Sequence, residues 1–326
     1  MFTSSKTIAD FKTIITYGHK AASGHNTQPW FFKIDNSYIE IIPNLEKSLP
    51  IIDSDHRELY ISIGCALENI CISATNLGYD FNVQFTNTNS VKIYLKVAVS
   101  PKANYLFEQI ELRQTNRSKY NHTLIPKSDI ELLDSLILEN HTNLLLIEKD
   151  SKTFNKLSQY ICEGNNILFN NEKFKKELLE WIRFNKEELV EHNDGLTYET
   201  IGLPELPRDV GEAMLLNAFT PEKQNDITLQ NINSSSHMAL FTCLGNTTNN
   251  WINTGRNLQR FCLKCTQLGI SFTYLNQPCE VPQISKDLTD TLLQKNEYPM
   301  IILRLGYSKK MPYSVRKSIS EHILHD

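Results

Sequence analysis

The chain has 326 residues, 40% hydrophobic and 21% charged, with 33 Lys and Arg against 37 Asp and Glu. That composition is globular and excludes disordered or fibrous classes; the length allows one large domain or two smaller ones. A net charge of −4 supplies no basic field for nucleic acid or an anionic membrane, and no apolar run approaches a membrane span.

In chain order, an N-terminal helix is predicted near Thr7, with Asp10 completing a T-x-x-D cap and Ile8, Phe11 and Ile15 on one face. A hairpin follows, Trp30 to Ile34 and Tyr38 to Ile42, about a turn at Asp35-Asn36-Ser37. Apolar residues from Ile63 to Leu77 repeat at helical spacing. Phe81–Phe85 and Val91–Val97 read as strands. Ser128 with Glu131 suggests a capping box for a helix carrying Ile130, Leu133, Leu136 and Ile137. Glu172 to Val190 reads as one charged helix with Phe174, Leu178, Trp181 and Ile182 inward. Asp194 to Ser236 reads as a long irregular excursion, which suits a lid or disorder. A second helix carries Trp251, Gly255, Leu258, Cys262, Cys265 and Leu268, and Met300–Leu305 is a strand.

The chain repeats itself. Gly64–Phe81, GCALENICISATNLGYDF, and Gly255–Phe272, GRNLQRFCLKCTQLGISF, share seven identities in eighteen positions without a gap. Gly78 and Gly269 stand where a left-handed helix cap belongs. Gly64 and Gly255 suit a close approach of two backbones. Two related halves in one chain behave as a fused dimer, with a ligand site expected at their seam.

No two of the twelve glycines are separated by one residue, so G-x-G-x-x-G is absent, as is a P-loop. A phosphorylated cofactor must then be held by side chains. Three segments could do this. In Ser23-Gly24-His25-Asn26-Thr27-Gln28-Pro29, Pro29 favours an extended Gln28, and the amides of Asn26 and Gln28 suit the edge of a heteroaromatic ring. The same residues also suit a polar turn before a strand. Arg113 and Arg117 in RQTNR share one face if helical, and their forks suit phosphate; a solvated basic turn is the alternative. Arg316, after the last long strand, could complete a phosphate pocket or belong to an exposed basic tail.

SGHNTQPW with its hairpin, RQTNR, the paired glycine helices and LRLGY followed by P-x-S-x-R together resemble the FMN-dependent nitroreductase superfamily. The two-halves layout is most similar to its Acg-like FMN-binding branch. The resemblance implies an α+β, nitroreductase-like fold. Two tandem halves would form an intramolecular pseudo-dimer of antiparallel-rich sheets flanked by helices, residues 1–105 and 106–326, with a lid-like insertion at about 190–236. It implies that Arg113, Gln114, Thr115 and Arg117 hold phosphate and the pyrimidine edge, that Ser23, Gly24, Asn26 and Gln28 face them from the other half, and that Arg316 reaches the phosphate. Asn276, in Leu275-Asn276-Gln277-Pro278, would lie by the flavin N5.

Departures from the family pattern are Ala22 for the usual Pro and Gln114 for an arginine. Thr3 to Thr13 contains no Arg at all, so only one full set of ligands exists. One FMN per chain follows.

The implied activity is oxidation of NAD(P)H and reduction of a small-molecule electron acceptor, a nitroaromatic or a quinone. The cofactor carries the chemistry, so no catalytic side chain is singled out. The alternative is an FMN-sequestering or storage protein with an occluded flavin and little or no reductase activity. No nucleic-acid or membrane partner is expected, and the chain is expected as a monomeric pseudo-dimer or a homodimer. A thiol or zinc use of Cys262-x-x-Cys265 is disfavoured, because Cys71 matches Cys262 in the repeat and both suit packing. Asp53, Asp55 and His56 suit the positive end of the following helix better than a metal. His322 and His325 are expected solvated in the tail. Seven scattered cysteines and the charges of Lys6, Asp10 and Lys12 suggest a cytoplasmic protein without a secretory signal.

Overall fold

The computed structural model describes residues 5–136 and 141–324. Helix α1 (Ser5–Gly18) leads to β1 (Trp30–Ile34), β2 (Tyr38–Pro43), α2 (Arg57–Asn76), β3 (Tyr79–Phe85) and β4 (Val91–Val97). After α3 (Gln109–Leu112) and α4 (Lys127–Asp134), strand β5 (Thr142–Glu148) opens a helical excursion. It comprises α5 (Lys152–Phe169), α6 (Glu172–Glu180), β6 (Ile182–Arg183), α7 (Lys186–His192), β7 (Leu196–Thr197), α8 (Tyr198–Ile201), α9 (Arg208–Ala218) and α10 (Pro221–Asn233). The chain then forms β8 (His237–Leu244), α11 (Thr248–Gln267), β9 (Ser271–Tyr274), α12 (Gln277–Glu280), α13 (Pro282–Leu292), β10 (Glu297–Gly306) and β11 (Ile323–Leu324).

One sheet has the order β11-β1-β2-β4-β3 and the other β5-β8-β10-β9. The path β1-β2-α2-β3-β4 therefore has the same strand order and helix placement as β5-β8-α11-β9-β10. All these pairings are antiparallel; β11 alone joins its sheet in parallel, with Phe32 opposite Ile323. The α+β class, with antiparallel-rich sheets flanked by helices, is the one expected.

Alternation along the strands divides two cores. Ala239, Phe241 and Cys243 of β8 face the first core with Phe32, Ile41, Leu67 and Phe261. Met238 and Leu240 face the second, with Phe154, Leu157 and Ile302. The first core draws on both sheets and lies about α2 and α11. The second is covered by the helical excursion.

Helices α2 and α11 meet at their glycines. A Cβ on Gly64 would stand 2.0 Å from the Ile252 carbonyl oxygen, and one on Gly255 2.0 Å from that of Ile61. The contact is reciprocal, as at a two-fold axis. Gly78 and Gly269 follow the helix ends at φ 84° and 69°, the expected left-handed caps.

Several expectations are corrected. Thr7 lies within α1, and the Asp10 carboxylate accepts from Tyr79 Oη at 2.7 Å instead of capping the helix. Ser128 lies inside α4, which starts after Pro126 without a side-chain cap. Ile137 falls outside the described residues. The single helix over Glu172–Val190 is broken, because Ile182 and Arg183 pair with Leu196 and Thr197 and a buried Arg183–Asp194 bridge at 2.5 Å pins the break. Asp194–Ser236 is helical, not irregular, with Thr197 capping α8 and Thr220 capping α10 ahead of Pro221. The excursion between β5 and β8 starts well before residue 190. His322 is buried, its Nδ1 2.6 Å from the Trp30 carbonyl oxygen; His325 is outside the described residues.

Gly64→Ala should cost about 3 kcal/mol, since the added methyl meets backbone that cannot yield. Gly269→Ala, with open space but a positive φ, should cost only about 1 kcal/mol. Urea unfolding of both variants checks this; equal losses would show that the helix crossing is not tight.

Candidate functional site

A cavity of about 840 Å³ opens between α2, α5 and α6 and the segments around Ser23–Asn26, Arg113–Arg117 and Arg316. Of the residues singled out from sequence, Ser23, Gly24, Asn26, Arg113, Gln114, Thr115, Arg117, Asn276 and Arg316 line it. Gln28 does not. It is fully buried behind the wall.

The expected i, i+4 helical face of RQTNR does not form. Arg113 ends α3 with φ −65° and ψ 131°, and residues 113–117 form no helix. Their backbone is tied down at Asn116, whose N–H donates to the Phe272 carbonyl at 2.9 Å and whose Nδ2 donates to the Lys309 carbonyl at 2.7 Å. The Gln114 amide pairs with both backbone groups of Met311. These bonds fasten the segment to the strap that follows β10. Asn116, unnoticed in the sequence, shares that task with Gln114. From beneath, the buried Arg304 donates to the carbonyls of Arg117 and Ser118 at 3.1 and 2.8 Å.

Arg316 on the strap meets Arg113. Arg316 Nη1 donates to Asn26 Oδ1 at 2.8 Å, and both guanidiniums donate to the Lys20 carbonyl, at 3.3 Å from Arg316 and 3.0 Å from Arg113. Neither arginine has a carboxylate partner among the described residues. Desolvation, and next the Arg113 charge, pulls the Arg316 guanidinium down to about 9. Arg113 Nε is buried without a partner. Arg117 is also lowered by desolvation. The expectation of an exposed tail is corrected at Arg316.

The Ser23–Gln28 segment is held in an unusual backbone. His25, Asn26 and Gln28 have φ of 46°, 58° and 53°, a costly region for residues with a Cβ. Gln28 is therefore left-handed, not extended as Pro29 suggested. Its N–H donates to Ser23 Oγ at 3.1 Å, its Oε1 accepts from Lys317 N at 3.0 Å and its Nε2 donates to the Asn193 carbonyl at 3.0 Å. Asn26 Nδ2 donates to the carbonyls of Gly195 and Val315. The two amides expected to face a ring are thus spent on the protein. They clamp the excursion and the strap to the first sheet. His25, which directly precedes Asn26, lines the cavity with Nδ1 unpartnered.

The other end of the cavity is acidic. Glu58 and Glu280 line it, and Glu58 Oε1 accepts from Asn276 Nδ2 at 2.9 Å. Asn276 Oδ1 accepts from Ile302 N, so this side chain is fixed at both ends. Asp53 accepts from the N–H groups of Glu58 and Leu59, both at 2.9 Å, at the start of α2 as its position suggested. Leu168, Phe169, Phe174 and Leu178 of α5 and α6 add an apolar wall. Cys262 and Cys265 are buried in the first core, and burial pushes the Cys262 thiol up to about 12. No helix among the described residues is long and apolar enough to cross a membrane.

Beneath the strap, His19 Nδ1 accepts from Trp30 Nε1 at 3.0 Å and Nε2 lies 3.0 Å from the Lys317 carbonyl, which fixes the neutral Nε2–H tautomer. The rings of His19 and His322 lie 4.5 Å apart.

No protein-family model matches the chain. It is 21% identical, over 95% of its own length and 90% of the relative's, to a protein provisionally named an NAD(P)H nitroreductase in two strains of Mycobacterium tuberculosis. Among solved structures, the FMN and NADPH-dependent nitroreductase NfnB from Sphigopyxis sp. strain HMH covers 68% of this chain. That likeness spans 98% of NfnB at 10% identity and a TM-score of 0.45. NfnB from Mycobacterium smegmatis, solved with NADPH, covers 67% of this chain and 96% of its own at 12% identity and a TM-score of 0.41.

Desolvation, then the nearby His322, lowers His19 to about 3. Its folded value lies below the unfolded one, so stability is full above about pH 6.5 and is lost as pH falls toward 3. Going from pH 7 to pH 5 should cost about 2 kcal/mol at this residue. Urea unfolding at both pH values measures it. His19→Gln should start less stable at pH 7 and lose less on acidification.

Proposed function

We propose that this chain is an FMN-binding member of the nitroreductase superfamily that oxidises NAD(P)H and reduces a nitroaromatic or quinone. We further propose that residues 1–105 and 106–326 are related halves forming a pseudo-dimer, as in the Acg-like branch. The repeated strand order and the reciprocal glycine contact support the halves. The likeness along 95% of the chain to a protein named as a nitroreductase supports the activity.

The observation that carries the reading is the meeting of Arg113 and Arg316 on one cavity wall with no carboxylate between them. Buried like charges are costly unless an anion neutralises them. The unpartnered Arg113 Nε fits a phosphate oxygen, and the volume suits a cofactor with room beside it. Arg113 and Arg316 would hold the phosphate, with Gln114 and Thr115 beside them. Arg117 would offer positive charge to the ring system. Ser23, Gly24 and Asn26 would face these groups from the first half, and Gln28 would hold Asn26 and the strap in place. Asn276 would lie by the reactive edge. Bound FMN would supply the hydride chemistry, and the protein orients it and sets the charge around it. One set of ligands implies one FMN per chain, so a single chain suffices, and the scattered thiols suit the cytoplasm.

The apolar wall from α5 and α6 favours a second reading, in which these helices occlude the flavin and the protein sequesters FMN. NADPH bleaching followed by quinone reoxidation identifies the reductase. A flavin that only dithionite reduces identifies the sequestering protein.

Purified protein should take up about one FMN per chain in a spectral titration. Arg316→Ala and Arg117→Ala should each weaken binding about 10- to 100-fold, the worth of one charge-assisted contact. Asn26→Ala should weaken it less. A preparation that stays colourless in excess FMN overturns the proposal.

A further inference from the structure

Glu58, in the first turn of α2, and Glu280, at the end of α12, face the same cavity with their carboxyl groups side by side. Two carboxylates this close repel each other in a desolvated wall, which favours keeping a proton on one of them. The charged and titratable groups around them are Asp53 and Asp55 from the preceding loop, Arg57 from α2 and Cys279 from α12. Arg57 is 8% exposed, its Nε has no partner, and its Nη2 lies 3.6 Å from Glu58 Oε1. One guanidinium thus stands against several acids, which favours keeping a proton in the pair.

Desolvation, then the Asp53 charge, pushes Glu58 up to about 7. Desolvation, then Glu58, holds Glu280 well above the usual carboxyl range. The other proton carriers on the wall suit the task less. His25 is lowered to about 4, by desolvation and then Arg117, and is neutral at pH 7. Tyr274 and Cys65 are raised by burial and keep their protons.

We propose that Glu58 and Glu280 hold one proton between them and hand it to the electron acceptor in this cavity. The proposal rests on the function inferred above. A quinone that receives a hydride derived from NAD(P)H needs one further proton to become the hydroquinone. The carboxyl O–H bond breaks as the second hydroquinone O–H bond forms, leaving two carboxylates, and solvent returns the proton. Asn276 steers Glu58 by its 2.9 Å hydrogen bond. A group poised near pH 7 is suited to such transfer.

The test uses the parent, Glu280→Gln and Glu58→Gln, the second variant serving if the first fails to fold. Infrared difference spectra of the FMN-free protein at pH 7 should show a protonated carboxyl band that Glu280→Gln abolishes. In stopped-flow reoxidation of the FMN-loaded, reduced protein by a benzoquinone, the parent rate should fall about tenfold per pH unit once the pair has lost its last proton at alkaline pH. Both variants should be about 100-fold slower at pH 7, with a flat profile and FMN affinity near the parent's. Absence of the band overturns the proposal. So do variants that keep the parental rate and profile while binding FMN, and that result leaves the flavin reading standing. A parent that binds no FMN overturns both.

Discussion

At the crossing of α2 and α11, a carbonyl oxygen of each helix stands where a Cβ of the other would lie. Only two glycines allow that approach. The crossing brings Glu68 within reach of Arg256 Nε and Arg260 Nε, at 2.9 and 2.8 Å, and Asn69 within 2.8 Å of Gln259. Breaking a buried pair of this kind costs about 3–5 kcal/mol, so the polar contacts specify one register for the two helices. The same crossing places the first turns of α2 under the cavity: Glu58, Ser62 and Cys65 all line it. Loosening the helices would move the cavity floor.

The cavity itself is polarised. Among the described residues, arginines gather at one wall without carboxylate partners, and acids gather at the other around a single guanidinium. Between them a short segment holds three non-glycine residues at positive φ. Neither the charge crowding nor the backbone strain stabilises the empty protein. Both persist because surrounding bonds over-determine them: the Asn26 and Gln28 amides are locked to Gly195, Val315, Asn193 and Lys317. Such an arrangement is characteristic of a site prepared for a ligand.

Much of this was legible in the sequence. The hairpin, the two helices, their glycine caps and the strands after them follow from periodicity and turn chemistry alone. The three chemical segments converge because the repeat predicts a seam. What failed were local rules overridden by tertiary contacts. Ser128 and Glu131 match a capping pattern, yet the chain geometry set by Pro126 starts the helix two residues earlier. Glu172–Val190 has helical spacing, but pairing of Ile182 and Arg183 with Leu196 and Thr197 breaks it. Gln28 suited a ligand contact, yet it is buried behind the cavity wall, where its amide holds Lys317 and Asn193. Glu58 and Glu280 are 222 residues apart, and no local pattern pairs them.

Strand β11 is two residues long, and its partner β1 lies almost a whole chain away, with Ile323 against Phe32. A contact of such high contact order forms late, because closing so long a loop costs entropy before any pairing rewards it. So short a strand is also among the first to fray. The strap carrying Arg316 is seated on Gln114, Asn116, Asn26 and Gln28, so the placing of that guanidinium depends on the closure of nearly the whole chain.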